Sequence, residues 1–223
     1  MGFITIKYWP TVSVDGLQRL DSKAGMSEPE GLWFRAMGMA ENGGVIKAEV
    51  WETDLAWRHA SDCLIQQPEY RALLEQYAVE APTFNLQTET VATFTSSDLG
   101  GYPQSVWIKP QTPGSAVFLV FPDITVEDYR RGMEQVSLRE GIDEASGLLY
   151  TAEGPYEDKN WAVLRVWETM QQRRNYINNY RHVIRRFVPK GALIRYEFSL
   201  QYFYFTAACP VGVNNQITPG LFH

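Results

Sequence analysis

The sequence predicts an α+β protein built from two tandem copies of one βαββαβ unit. The main observation is an ungapped internal repeat: residues 31–53 and 147–169 align at a constant offset and share nine identical positions. The repeat is far longer in period than the units of about 20–50 residues that form solenoids, so it indicates a duplicated small domain. The length of 223 residues agrees, because it accommodates two domains of roughly 110 residues each.

The N-terminal copy contains apolar segments bounded by turn residues, which predict strands at Phe3–Tyr8, Leu32–Met39, Val45–Trp51 and Thr83–Thr95. The sequence Glu41-Asn42-Gly43-Gly44 between the second and third of these is a hairpin signal. Helices are expected over residues 14–24 and 54–78, with Pro68 breaking the second into two pieces.

The C-terminal copy repeats this order, with strands predicted at Ala116–Phe121, Gly147–Gly154, Trp161–Trp167 and Leu193–Phe205. Asp123 or Thr125 can cap a helix over residues 126–140, and a second helix spans residues 170–188 before Pro189. The predicted domains are residues 1–95 and 115–206. Residues 96–114, rich in Gly, Ser and Pro, form a linker between them, and residues 207–223 form a C-terminal tail.

A βαββαβ unit forms a four-stranded antiparallel sheet with both helices on one face, the ferredoxin-like arrangement. The strands carry apolar residues on both faces, so the helix-free face of each sheet needs a cover. We expect the two bare faces to pack against each other, which makes an eight-stranded α/β barrel within one chain.

Composition excludes several classes of protein. The net charge of −6 and the isoelectric point near 5.2 argue against nucleic acid or an anionic membrane as a general partner. No apolar run reaches the roughly 18–20 residues that a membrane span requires. The N-terminus lacks a signal-peptide pattern and the two cysteines suggest no disulfide framework, so a cytoplasmic protein is expected. The arginine-rich segment 173–190 is interpreted as a solvated helix face, with an anion or partner site as the alternative.

Each copy carries the motif Val-Trp-Glu-Thr at the end of its third strand, at residues 50–53 and 166–169. With this motif and the element order, the chain resembles the dimeric α/β-barrel superfamily, specifically its antibiotic-biosynthesis-monooxygenase branch. That family is usually built from two separate subunits, so the resemblance implies a fused pair that acts as a monomeric pseudo-dimer and can associate further. It also implies a cavity lined by the motif residues Trp51 and Trp167. Simple packing of these rings between sheet and helix is the alternative.

The resemblance also places a histidine about two turns into the following helix, near His59. Leu55, His59 and Cys63 share one helix face, which we expect to look at the sheet. His59 there could act as a general base, or it could be a core histidine bonded to a backbone carbonyl.

Charged residues inside the predicted strands form a second group of candidates. Lys47, Glu49 and Trp51 alternate onto one face, and Arg165 occupies the position of Glu49 in the second copy. Burial of an unpaired charge costs several kcal/mol, so these side chains and Arg35 should pair or line a wet cavity. The polar row Arg195, Glu197, Ser199 and Gln201 suggests an exposed edge.

These residues lead to a functional hypothesis: a cofactor-independent, monooxygenase-like enzyme for a flat, partly apolar, aromatic or polyketide-type substrate. Base-assisted carbanion formation would precede reaction with oxygen. The predicted working cavity lies in the N-terminal copy, with His59 and Glu49 as catalytic residues and Trp51, Arg35 and Trp57 as substrate contacts, joined by Trp167 and Arg165 in the second copy. No motif for a metal or cofactor is present. An isomerase, cyclase or dehydratase, or a binding protein without turnover, remains an alternative.

Overall fold

The computed structural model describes residues 2–26, 28–41, 43–77, 83–87, 90–93, 106–108, 113–128, 131, 147–157, 159–187 and 191–205. The predicted C-terminal tail and most of the helix predicted over residues 126–140 lie outside these residues. At the start of that helix, the Thr125 hydroxyl accepts a hydrogen bond from the Asp128 amide at 3.2 Å, as expected of an N-cap.

The N-terminal half alternates strands and helices in the predicted order. Its strands are β1 (Phe3–Trp9), β2 (Leu32–Ala40), β3 (Val45–Trp51), β4 (Thr83–Gln87) and β5 (Thr90–Thr93). Its helices are α1 (Val14–Lys23), α2 (Asp54–Ile65) and α3 (Pro68–Tyr77). The break before Pro68 confirms the expected interruption, because proline cannot donate the helical hydrogen bond.

The C-terminal half follows the same plan in the part of the chain that the structure describes. Its strands are β6 (Val106–Ile108), β7 (Gly114–Pro122), β8 (Leu148–Tyr156), β9 (Asn160–Trp167) and β10 (Ile194–Phe205). Its long helix is α4 (Met170–Phe187). Strand β6 lies within the segment predicted as a linker and pairs with β10.

All these strands join one antiparallel sheet in the order β4-β1-β3-β2-β10-β7-β9-β8-β5, with β6 off this path. The order crosses between halves, because β10 pairs with both β7 and β2, and β5 pairs with β8. The segment predicted as one strand, Thr83–Thr95, is therefore two strands with different partners. Only two residues separate β4 from β5, so the ends of the sheet lie within roughly 11 Å and the sheet curls back on itself.

The largest buried cluster draws apolar side chains from both halves, including Ile6, Ala48, Phe118, Leu164 and Phe198. Within it, Phe34 of β2 stacks on Tyr150 of β8 with 3.9 Å between ring centroids. Apolar side chains of both halves therefore share one core. A second cluster, which includes Trp51, lies between the sheet and helices α1 to α3.

The repeated motif has a structural explanation in both halves. Thr53 and Thr169 accept hydrogen bonds from the amides of the first turns of α2 and α4, at 3.1 Å and 3.2 Å. The amides of Glu52 and Glu168 donate to the carbonyls of the repeated glycines at 2.7 Å and 2.8 Å. Those glycines, Gly31 and Gly147, have φ angles of 79° and 83°, which favour glycine.

No helix in the described part of the chain is long and apolar enough to cross a membrane.

Candidate functional site

A cleft of about 470 Å³ lies between α2 and the segment that joins α1 to β2. Its volume is in the range of small-molecule sites. The lining combines apolar groups with ionisable ones, among them Met26, Glu30, Glu52, His59, Ala60 and Cys63. It includes two carboxylates and no lysine or arginine. We call this space the His59 cleft.

The prediction that Leu55, His59 and Cys63 face the sheet is wrong, because α2 is rotated about its axis by about one residue. Leu55 is 59% exposed, and His59 and Cys63 are exposed too, whereas Ala60 and Leu64 are buried against the sheet. A shift of one residue along a helix corresponds to a rotation of about 100° around its axis. The small side chain of Ala60 lets α2 lie close to the sheet. His59 is therefore a rim residue of the cleft and not a core histidine.

Behind the cleft, four charged side chains form a buried ionic cluster, which consists of Asp21, Arg35, Lys47 and Glu49. Arg35 Nε lies 2.7 Å from Glu49 Oε1, and Arg35 Nη1 lies 3.4 Å from Asp21 Oδ2. Lys47 Nζ lies 3.2 Å from Asp21 Oδ1 and 3.4 Å from Glu49 Oε1. Two positive and two negative groups balance, which confirms the expectation that charges on this face pair.

The cluster favours the ionised forms of Glu49, Arg35 and Lys47. Burial alone would raise the pKa of Glu49, but Lys47 and Arg35 outweigh it and lower the pKa to about 2. Burial opposes the charge of Arg35 and Lys47 as well, yet Glu49 and Asp21 raise the pKa of both. A carboxylate with a pKa near 2 is a weak proton acceptor at neutral pH.

The predicted tryptophans lie beside this region. Trp51 is buried between the sheet and the helices, and its indole N–H has no partner among the described residues. Trp57 is half-buried, with its ring centroid 5.3 Å from that of Phe3. Of the seven predicted site residues, His59 is the one that lines the cleft.

In the C-terminal half the corresponding surface under α4 carries a different polar set. Arg165 lies 3.6 Å from Glu153 and 5.9 Å from the ring centroid of Tyr176. The ring of Trp167 lies 5.9 Å from the same tyrosine. Burial raises the pKa of the Tyr176 phenol, and the charge of Arg165 partly offsets this.

Arg173 was interpreted from sequence as part of a solvated helix face, and this is wrong for that residue. Its side chain is buried and donates to Ser115 Oγ at 3.2 Å and to Glu197 Oε2 at 2.8 Å. The exposed edge expected for β10 is also wrong, because β10 pairs on both sides and Glu197 serves as the acceptor for Arg173. The remaining arginines with described side chains on α4 are exposed, as predicted: Arg174, Arg181, Arg185 and Arg186.

One substitution between the halves falls on the lining of the cleft. Ala56 lines it, and the repeat places Gln172 at the equivalent position of α4. The Gln172 side chain bonds to Thr169 and Glu168 and lies where a side chain at Gly147 would point. The longer glutamine therefore fills space that alanine leaves open.

Sequence reasoning missed Asp21, Ser115 and Arg173 as polar groups beneath the helices. Asp21 could have been found, because it lies four residues after Leu17 on the buried stripe of α1. Within the described residues, no group of three or more His, Cys, Asp or Glu side chains could hold a metal ion.

No protein-family model matches the chain, and no curated protein matches it in sequence. Solved structures do match. A candidate monooxygenase from Fusobacterium nucleatum has a TM-score of 0.61 at 9% identity and covers 96% of this chain and 98% of its own. A candidate monooxygenase from Lactobacillus acidophilus has a TM-score of 0.58 at 13% identity, with coverages of 95% and 99%. An anthrone oxidase-like protein has a TM-score of 0.56 at 14% identity, with coverages of 95% and 97%.

These matches run along almost the whole length of both chains, so each neighbour contains counterparts of both halves. At such low identities the likeness establishes the fold alone. The chain therefore shares the α+β fold of these neighbours.

Proposed function

We propose that the chain is a cofactor-independent, monooxygenase-like enzyme that binds a small, flat, partly apolar molecule in the His59 cleft. The observation that carries the proposal is the position of His59 in the lining of a cleft of about 470 Å³. Imidazole changes its protonation in the physiological pH range and can accept a substrate proton near neutrality. The fold neighbours support the reaction class, since they are described as candidate monooxygenases and an anthrone oxidase-like protein.

In the proposed reaction the substrate is its own reductant. His59 removes a phenolic or carbon-bound proton, and a carbon atom of the electron-rich anion bonds to molecular oxygen and takes up the proton as a hydroperoxide. Cleavage of the O–O bond with loss of a C–H proton then leaves a carbonyl group and releases the second oxygen atom as water. The N-terminal turn of α2 contributes Thr53, Leu55 and Ala56 to the lining. The partial positive charge at that helix end would stabilise the anion. The carboxylates of the cleft, Glu30 and Glu52, would not stabilise it.

The other predicted residues take supporting parts in this proposal. The low pKa of Glu49 makes it a poor base, so its part in the proposal is to anchor the buried ionic cluster. Arg35 and Trp51 stabilise the sheet behind the cleft, and Trp57 packs on Phe3 at its side. Ligand contact by Trp167 and Arg165, which lie beside Tyr176 under α4, stays a prediction.

We also propose that the sheet is an intramolecular α/β barrel made by two tandem domains. The pairing of β10 with β2 and of β5 with β8 supports this arrangement, because each half receives a strand from the other. A monomeric, cytoplasmic protein with a small-molecule partner completes the proposal.

Oxygen uptake tests the function. The purified protein is supplied with anthrone- and quinol-type compounds, and turnover is followed with an oxygen electrode and by product analysis. We expect His59→Ala to lower kcat/KM by about 10²-fold or more, the usual contribution of a general base. His182→Ala is the matched control, because His182 is an exposed histidine on α4 and should leave the rate unchanged.

A second variant tests the cleft without touching the base. Ala56→Gln introduces the residue found at the equivalent position of α4 and should fill the cleft, so KM should rise while the fold is kept. Full activity in both His59→Ala and Ala56→Gln would contradict the site.

The exposure of His59 favours a second candidate, a non-oxidative isomerase, cyclase or dehydratase in the same cleft. A carbanion that reacts slowly with oxygen needs protection from water, whereas a rapid proton transfer does not. Equal turnover with and without oxygen would identify this class. Ligand binding without any turnover would instead identify a binding protein.

A further inference from the structure

The wall of the His59 cleft opposite α2 comes from the segment 24–31, in which residues 24–26 and 29–31 line the cleft. Hydrogen bonds anchor this wall near both ends. At the far end, Gly31 accepts the Glu52 amide at 2.7 Å. Near its start, the Met26 amide donates to the Asp21 carbonyl at 2.7 Å, and the Met26 carbonyl accepts from Arg35 Nη1 at 2.7 Å. Both backbone groups of Met26, a cleft-lining residue, are therefore bonded to members of the buried ionic cluster.

Arg35 connects that wall to the sheet. Its side chain is fully buried and contacts Glu49 through Nε and both Asp21 and Met26 through Nη1. A planar guanidinium can donate in several fixed directions at once, and a hydrogen bond from a charged donor contributes about 1.5–3 kcal/mol. The position of the Met26 carbonyl thus depends on the Arg35 side chain, which Glu49 and Asp21 hold in place.

We propose that Arg35 is a positioning residue of the His59 cleft: it fixes the 24–31 wall relative to α2 and so sets the shape in which a ligand meets His59. This inference rests on the proposed function for its kinetic consequence, and on contacts within the chain for its structural one. Arg35 does not line the cleft and touches no ligand there, so it acts through Met26.

The C-terminal half has no counterpart of the Arg35 side chain itself. The repeat and the strand register place Thr151 where Arg35 stands, opposite Arg165 as Arg35 is opposite Glu49. A threonine side chain is too short to reach across to a loop carbonyl, and it carries no charge. The half that contains the described cleft is therefore also the half that has the arginine bonded to the cleft wall.

The test compares Arg35→Lys with Lys47→Met. Lysine keeps the positive charge, but its single ammonium cannot occupy both the Nε position beside Glu49 and the Nη1 position beside Asp21 and Met26. Lys47→Met disturbs the same cluster without a contact to Met26. If Arg35→Lys fails to fold, the double variant Arg35→Met/Glu49→Gln replaces it, because one charge of each sign is removed and the cluster stays neutral.

Two readouts follow the wall. In a Cys209→Ser background, Cys63 is the remaining thiol of the chain and lines the cleft, so its alkylation rate by iodoacetamide under native conditions reports the cleft's shape. The second readout is the division between KM and kcat for a substrate found by oxygen uptake. We expect Arg35→Lys to change the alkylation rate at least about threefold and to raise KM about tenfold with kcat nearly unchanged, the effect of losing one charge-assisted hydrogen bond.

Lys47→Met should lower the unfolding temperature and leave both readouts near the parent values. If Arg35→Lys behaves the same way, the cluster serves stability alone and the proposal is overturned. The alkylation rate needs no substrate, so the absence of enzymatic activity would refute the proposed function without deciding the role of Arg35.

Discussion

The two halves of the molecule share a backbone frame and differ in the polar side chains beneath their helices. In the N-terminal half, Asp21, Arg35, Lys47 and Glu49 balance each other in full burial. In the C-terminal half, Arg165 pairs loosely with Glu153, and Arg173 reaches from α4 to Ser115 and Glu197. The strand register explains the exchange: Phe3 and Trp57, which pack ring to ring, correspond to Ser115 and Arg173, which share a hydrogen bond.

This difference separates what the fold requires from what each half adds to it. The repeated Gly, Glu and Thr residues make the same capping and backbone hydrogen bonds in both halves, so their repetition reflects the frame. Ala56 lines the described cleft where the other half has Gln172, and Arg35 bonds to the cleft wall where the other half has Thr151.

The largest effect should come from breaking the N-terminal cluster. Glu49→Gln leaves Arg35 and Lys47 with one carboxylate between them in full burial, and we expect a loss of about 3–5 kcal/mol in the free energy of unfolding. Glu153→Gln is the matched change in the other half and should cost at least about 1 kcal/mol less, because Arg165 is partly exposed and its ion pair is long. Urea unfolding of both variants measures the difference. Equal losses in the free energy of unfolding would show that the full burial of the N-terminal cluster does not make its loss more costly.

A somewhat smaller effect should appear on acidification. The folded pKa of Glu49 is depressed from 4.5 to about 2, so its contribution is complete above pH 4.5 and is lost as the pH falls toward 2. The size of that loss is on the order of 3 kcal/mol. Chemical unfolding from pH 6 to pH 2 should show it as a steep decline in the parent that is much weaker in Glu49→Gln. Glu197→Gln should keep most of the decline, and a parent-like slope in Glu49→Gln would refute the assignment.

The smallest effect should be the same in both halves. Thr53→Ala and Thr169→Ala each remove a helix N-cap, which typically costs about 1 kcal/mol. We expect two nearly equal decreases in thermal stability by calorimetry. A much larger loss of activity than of stability in one variant alone would show that its threonine contributes to ligand binding as well as to capping.

The sequence was sufficient for the element order and most strand bounds, because turn residues and alternating apolar residues mark them clearly. Strand β3 was predicted without error, and the charges of β3 and β9 were expected to pair, as they do. The rotation of α2 was not predictable, since Leu55 and Cys63 gave it an apolar stripe as convincing as that of Ala60 and Leu64. The split between β4 and β5 depends on partners in different halves, which no local pattern encodes.

The candidate site was predicted in part. His59 was identified, but its position at the cleft rim was not, because that depends on the helix rotation. Arg173 could not be distinguished from its exposed neighbours on α4, since an arginine-rich helix looks alike on every face until a carboxylate such as Glu197 is known to lie beneath it.

The pairing of β10 with β2 has a consequence for biosynthesis. These strands are separated by more than 150 residues in the chain, so the sheet of the first half stays incomplete until the final strand has left the ribosome. The first half therefore cannot complete its sheet alone, and the β2 edge stays unpaired in the nascent chain until β10 emerges. Premature termination just before β10 should therefore yield an aggregation-prone fragment that depends on chaperones.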